Sequence, residues 1–509
     1  MALLSCSFSN SLYFQRLLRL SSPLVMMARS SSTVVAKSVD GKILPFSEIP
    51  GPKGTIRNCL DYSLGKGSYF DVITKRFERF GPIYSEQILD TRVVNISDVD
   101  ATMKLLHAES TFQMRPGFEA AAEVINNQNG LIGLISNDYD VWYSDRSLIS
   151  PKMLRPKDIN ETFPMLNTVA NDFILRLSHL TQSNKMNNIE EELNFWAVES
   201  FASVLFNHRL GFYNHPPDPT AVEFVHASVG MIDNIGKLCL YGSLHKYIKI
   251  PAYYRLKKNM ATIHTIGMEI INKILATKRE RDCSNKQSLF EYLVSNGRDT
   301  PKTMAAIIGL MAAGIDTTST TCLWLLYTLS QHPDIQEKLY QQLVSAIGPD
   351  GEVLASNIPP FLKAALKESQ RMYPVGGYVV ARVFDKDVDV LGYHIPTGVN
   401  ILMHEHLASL DGRYYGEDAK KFVPERWLRD ETRKRHEVNS FTSLPFGFGV
   451  RMCLGRRMAE SLIYTLVAKI LIRYRLQYAE GFENGVNRSL VGILMKPDRP
   501  VLLKFITRE

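Results

Sequence analysis

The segment from Pro301 to Gln331 constrains this chain most, because it reads as one long helix with almost no polar face to leave in water. Pro301 suits a first helical turn, where a missing N–H costs nothing, and His332-Pro333 supplies a stop. At 1.5 Å per residue such a helix is roughly 45 Å long, enough to cross an entire domain. Met304 to Ile315 is apolar on all sides, so the helix must be buried. Asp316 and the hydroxyl run that follows argue against a membrane span, which needs ~20 apolar residues.

Most other segments also read as helix. Phe70 to Arg79 is stopped by Phe80-Gly81-Pro82, and Ile83 to Ile96 then reads as two short strands around a turn at Asp90-Thr91. Val380 to Val390, with Gly392-Tyr393 and Ile395-Pro396 after it, gives more strand and turn. The 509 residues would allow about three domains on length alone, but no repeat is present and no Gly-, Ser- or Pro-rich linker cuts the chain after residue 54. The expected fold is therefore mainly α with a minor β sheet (α+β), as one domain over residues 55–509. A stiff proline-rich segment, residues 37–54, leads into it through Pro50-Gly51-Pro52.

The first 39 residues hold Arg16, Arg19, Arg29, Lys37 and ten serines, and no Asp or Glu precedes Asp40. That composition is expected of a mitochondrial presequence, taken as residues 1–36; a poorly ordered cytosolic tail is the competing reading. Arg16, Arg19 and Ser21 break its apolar runs, so no endoplasmic-reticulum anchor is expected there. The formal charge of +7 is not gathered into Lys/Arg blocks, and no nucleic-acid partner is expected; a basic patch for an acidic partner stays open. Six cysteines lie far apart with no C-x-x-C pair, which points to a reducing compartment.

One cysteine has an unusual setting: Phe446-Gly447-Phe448-Gly449-Val450-Arg451-Met452-Cys453-Leu454-Gly455. This resembles the cysteine-loop signature F-x-x-G-x-R-x-C-x-G of the cytochrome P-450 family. The resemblance implies that Cys453 ligates the iron of haem b as a thiolate, pushing electron density toward O–O cleavage, with Arg451 on a haem propionate. Gly449 and Gly455 would let the backbone approach the sulfur. Ala313-Gly314-Ile315-Asp316-Thr317-Thr318, inside the long helix, resembles the family's oxygen-activation motif. By that likeness a gap beside Gly314 admits dioxygen, while Asp316 and Thr317 relay protons; on residues alone, Thr317 or Thr318 could instead cap a second helix. Glu368 and Arg371 match E-x-x-R, otherwise an everyday surface pair, and Arg426 in Phe422 to Trp427 resembles the third member of a buried network holding the cysteine loop. Trp142 and Arg146 fit W-x-x-x-R and, with Arg382, would bind propionates, although Trp and Arg at i,i+4 also form an ordinary stacked pair.

Lys363 and Lys367 resemble the docking lysines of the mitochondrial branch, whose electron donor is a small acidic ferredoxin of adrenodoxin type with its reductase; Arg456 and Arg457 add charge nearby. A solvated helix face is the plain alternative. Together these likenesses imply a monooxygenase acting with dioxygen on a small apolar, sterol-like substrate. It would lie peripherally on the inner mitochondrial membrane, facing the matrix. The pocket would be shaped by residues 100–130 and 205–300, with Val375 to Val379 and Ser489 to Leu494. A microsomal-type enzyme fed by a two-flavin reductase, a non-catalytic haem-thiolate sensor, and a peroxide isomerase are the competing readings. The intact acid–threonine pair speaks against the last two.

Overall fold

The computed structural model describes residues 42–63, 69–110, 116, 118–126, 139–182, 188–212, 218–239, 245–279, 288–296, 300–348, 351–376, 380–428, 439–478 and 485–508. The presequence expected over 1–36 lies outside them. The helices are α1 (Thr55–Ser63), α2 (Tyr69–Phe80), α3 (Val99–His107), α4 (Glu119–Asn126), α5 (Tyr139–Leu154), α6 (Pro156–Asn160), α7 (Phe163–Gln182), α8 (Ile189–Phe206) and α9 (Pro219–Cys239). They continue as α10 (Pro251–Arg279), α11 (Leu289–Ser295), α12 (Thr300–Ser330), α13 (Pro333–Ile347), α14 (Pro360–Met372), α15 (Glu405–Ala408), α16 (Gly412–Tyr415) and α17 (Arg456–Arg473). The strands are β1 (Ile83–Ile88), β2 (Thr91–Ile96), β3 (Val380–Val383), β4 (Val388–Val390), β5 (Tyr393–Ile395), β6 (Asn400–Met403), β7 (Tyr474–Tyr478), β8 (Arg488–Val491), β9 (Leu494–Pro497) and β10 (Leu503–Thr507).

Helix α12 is the centre of the molecule. Ile307, Met311, Ile315, Leu325, Leu326 and Leu329 are shielded from water on every side by α8, α9, α10, α14 and α17. Thr303–Ser330 is long and apolar enough to cross a membrane, yet 72% of its most apolar window is buried inside the protein. The hydroxyls that follow Asp316 are absorbed without breaking the helix: Thr317 Oγ1 donates to Ala313 O at 2.8 Å and Thr321 Oγ1 to Thr317 O at 2.7 Å. No second helix begins at Thr317 or Thr318.

The sheet is small and mixed, in the order β1-β2-β6-β3. Only β2 and β6 run parallel in it, and a separate core of Val94, Ile96, Leu105, Val380, Ile401 and Met403 lies beneath. Three details differ from the expected pattern. The first hairpin turns at Leu89-Asp90, one residue early, because Leu89 takes the left-handed φ of 53°, a conformation its side chain does not signal. The stretch Val380 to Val390 is two strands in different sheets: β3 pairs with β6, whereas β4 pairs with β5 across Leu391-Gly392, whose φ values of 51° and 83° form the tight turn. Strand β6 has no counterpart in the sequence reading, since Ile401-Leu402-Met403 is too short to separate from a helical turn by periodicity.

Candidate active site

One cavity of about 1370 Å³ lies between α12 and the cysteine loop. Cys453 is open to it, and Trp142, Arg146, Arg382, Arg451, Gly314 and Thr317 line it as well. The loop reaches this position through a tight turn. Gly447 and Gly449 take left-handed φ values of 69° and 71°, a short 3-10 turn spans Gly449–Arg451, and Cys453 N donates to Phe446 O at 2.8 Å. Gly455, at φ −82°, has ordinary backbone, and a side chain there would begin 4.0 Å from Cys453 Sγ.

The three arginines arrive from separate elements. On α5, Arg146 lies 5.6 Å over the Trp142 ring and donates to Met452 O at 2.9 Å. Burial lowers the pKa of its guanidinium, and nearby Cys453 opposes that shift. Arg451 covers the same indole at 3.7 Å. From β3, Arg382 donates to Glu109 Oε2 at 2.7 Å and to Phe448 O at 2.8 Å. A thiol open to a cavity that also presents three guanidiniums is the donor set that an iron porphyrin with two carboxylates requires, so the residues fit haem. The volume exceeds the ~300–1,000 Å³ usual for a single ligand, which leaves room for a second occupant.

The segment Ala313 to Thr318 is divided by the helix. Thr317 faces the cavity, whereas Asp316 is absent from its lining and is buried on another side. Its Oδ1 lies 2.5 Å from Lys496 Nζ, which also meets Glu190 Oε1 at 3.0 Å. Burial raises the pKa of Asp316, with Lys496 opposing; burial lowers that of Lys496, but Asp316 and Glu190 outweigh it and the net shift is upward. Gly314 is needed for packing: a Cβ there would stand 2.6 Å from the Phe201 ring of α8, so its missing side chain is filled by an aromatic edge.

On α14, Glu368 and Arg371 are fully buried and joined twice, at 2.8 and 2.7 Å. Glu368 also accepts from Arg426 Nε at 3.0 Å, Trp427 Nε1 at 2.8 Å and Val423 N at 3.0 Å. On the same helix Lys367 is exposed and Lys363 half-buried, and Arg456 and Arg457 are exposed at the start of α17.

Much of the remaining cavity wall is apolar, including Phe118, Met231, Ile263, Val375, Ile493 and Leu494, while Glu86, Arg92, Asn95, Glu119 and Lys246 also reach it. Val375, Gly376, Leu490, Gly492, Ile493 and Leu494 come from the two segments expected by position; 377–379 lie outside the described residues. His264 also lines it, its pKa lowered by burial. Phe118, Met231, Ile263 and His264 fall in segments 100–130 and 205–300, expected to shape the pocket, but sequence reasoning singled out no residue there, and it did not find Glu109, Phe201 or Lys496. None belongs to a motif, and only spatial proximity marks them.

The chain matches the cytochrome P-450 family over residues 50–505. It belongs to that family. It is 30% identical to cytochrome P-450 CYP12A2 of Musca domestica, covering 95% of each chain. It is 30% identical to the mitochondrial cholesterol side-chain cleavage enzyme of Oncorhynchus mykiss, with 90% of each covered. Against the mitochondrial sterol 26-hydroxylase of Homo sapiens it is 27% identical, over 85% of this chain and 83% of that one. As a cytochrome P-450 it is a haem-thiolate monooxygenase with the mainly α fold of its family.

Because Asp316 is shielded and Lys496 is the cation that meets it, removing Lys496 leaves Asp316 an uncompensated buried charge. Lys496→Met is expected to lower stability in urea unfolding by about 3–5 kcal/mol, and adding Asp316→Asn should restore most of it. A single variant as stable as the parent protein would show that the pair is not coupled.

Proposed function

We propose that this cytochrome P-450 inserts one oxygen atom into an apolar, sterol-like substrate inside mitochondria, with Cys453 as the axial ligand of haem b and electrons drawn from a ferredoxin of adrenodoxin type. The observation that carries the reading is the meeting of Cys453, three arginines and Thr317 on a single large cavity. Trp142, Arg146, Arg382 and Arg451 would hold the propionates, and Glu368, Arg371 and Arg426 would keep the cysteine loop in place. The bound haem-thiolate supplies the activation of dioxygen.

The chain's own residues contribute position and protons. Thr317 Oγ1, fixed by its bond to Ala313 O, presents a hydroxyl at the cavity wall that can hold a proton there. Asp316 would be the other member of the relay; it lies on another face of the helix, where Lys496 links it to the half-exposed Glu190. The apolar part of the wall favours a hydrophobic substrate, which agrees with relatives named for sterol and cholesterol chemistry.

Mitochondrial residence is supported by the acid-free, arginine- and serine-containing leader over 1–36 and by the names of two relatives. Contact with the inner membrane from the matrix side is supported by apolar residues left in water: Ile56 and Leu60 on α1, and Tyr247, Ile248 and Tyr254 around the start of α10. Lys363, Lys367 and Arg457 would dock the acidic ferredoxin, since Lys367 and Arg457 are exposed and Lys363 is half-buried, leaving their charges open to an acidic partner.

Cys453→Ser is expected to abolish the red-shifted Soret band of the reduced carbon monoxide complex; persistence of that band would refute the ligand assignment. Thr317→Ala should release reducing equivalents as peroxide in place of product, read as product formed per electron pair consumed, and unchanged coupling would remove Thr317 from the relay. Lys363→Glu with Lys367→Glu should slow reduction by ferredoxin, most at low salt, while ligand-induced spectral shifts stay the same. Equal reduction rates would place the docking site elsewhere.

A further inference from the structure

Glu109 reaches the site from two residues beyond α3, in a segment without any motif. Its side chain is 5% exposed, and its carboxylate is shared between two distant parts of the chain. Oε2 accepts from Arg382 Nε at 2.7 Å, and Oε1 accepts from the backbone N–H of Val450 at 3.1 Å. The same carboxylate accounts for the central glycine of the cysteine loop. A Cβ at Gly449 would lie 1.5 Å from Glu109 Oε1, so a side chain there would expel the acid even if the backbone could keep its φ of 71°. Gly449 is therefore the socket for Glu109.

The charges around the cavity point the same way. Arg146, Arg382 and Arg451 bring three positive charges to a cavity whose cofactor brings two propionates. Arg382 already holds Glu109, so a propionate meets that guanidinium with a carboxylate in place. We propose that Glu109 is a positioning residue of the haem-thiolate centre. It anchors the Gly449–Arg451 turn to β3 through Val450 N–H and Arg382, and it supplies the fixed negative charge that balances the third guanidinium. The inference rests on the cofactor reading above. It assigns two separable effects to a single side chain: a backbone anchor, and a charge that opposes addition of an electron at the iron in a site shielded from water.

The test uses the purified full-length holoprotein. Glu109→Gln keeps the shape and leaves an oxygen for Val450 N–H but removes the charge. The thiolate-type carbon monoxide band should be retained while the midpoint potential moves to a more positive value. Glu109→Asp, which keeps the charge, should bring the potential back toward that of the parent protein. Glu109→Ala removes both functions, so part of the thiolate band should be lost and haem should transfer faster to apomyoglobin. A Glu109→Gln potential equal to that of the parent would overturn the charge role. An Ala variant that retains haem and band like the parent would overturn the anchor; should it fail to fold, Glu109→Gln alone decides whether the charge acts on the centre. Absence of the thiolate band from the parent protein itself would instead refute the cofactor reading.

Discussion

The structure is organised by the need to bury α12 on every side. A helix with apolar residues all round is stable only when it is enclosed, and enclosure requires several elements with complementary apolar faces. Helices α8, α9, α10, α14 and α17 meet that requirement, and their own order in space follows from it. Along one stretch the enclosure is incomplete. Ala305, Gly309, Ala312 and Ala313 present little side chain there, and the cavity opens beside them. The position of the site is thus a consequence of where the central helix carries small residues.

Enclosing a helix that carries an acid also forces an electrostatic solution. Asp316 is shielded from water, and it persists there because Lys496 from β9 meets it. Glu368 is shielded in the same way and is satisfied by two arginines, an indole N–H and a backbone N–H. Apart from Arg371 on the same helix, the partners come from distant parts of the chain, so each cluster ties the tertiary structure together as well as neutralising a charge. The Glu368 cluster lies on the same helix as the exposed Lys367, so one helix carries both a buried charge network and an exposed lysine.

Much of this was legible in the sequence because the information is local. Helix α12 was readable to within a residue at each end, since a proline start, a proline stop and continuous apolarity lie within one stretch. The cysteine loop was readable because its turn demands residue types at fixed spacing. The elements that escaped are those whose signal is weak or shared: a left-handed leucine at 89, a short central strand at 400–403, and the division of the strand-and-turn stretch 380–390 between two sheets.

Within the site the division is similar. The sequence offered a thiol, three guanidiniums and a threonine hydroxyl as candidates, and all of them line one cavity. Only the tertiary structure decided how they are used. It turned Thr317 to the cavity and Asp316 to Lys496, since adjacent residues on a helix point about 100° apart. It gave Gly314 to Phe201 and Gly449 to Glu109, because the space beside a glycine belongs to whatever residue folding brings against it, from 113 and 340 positions away in these two cases.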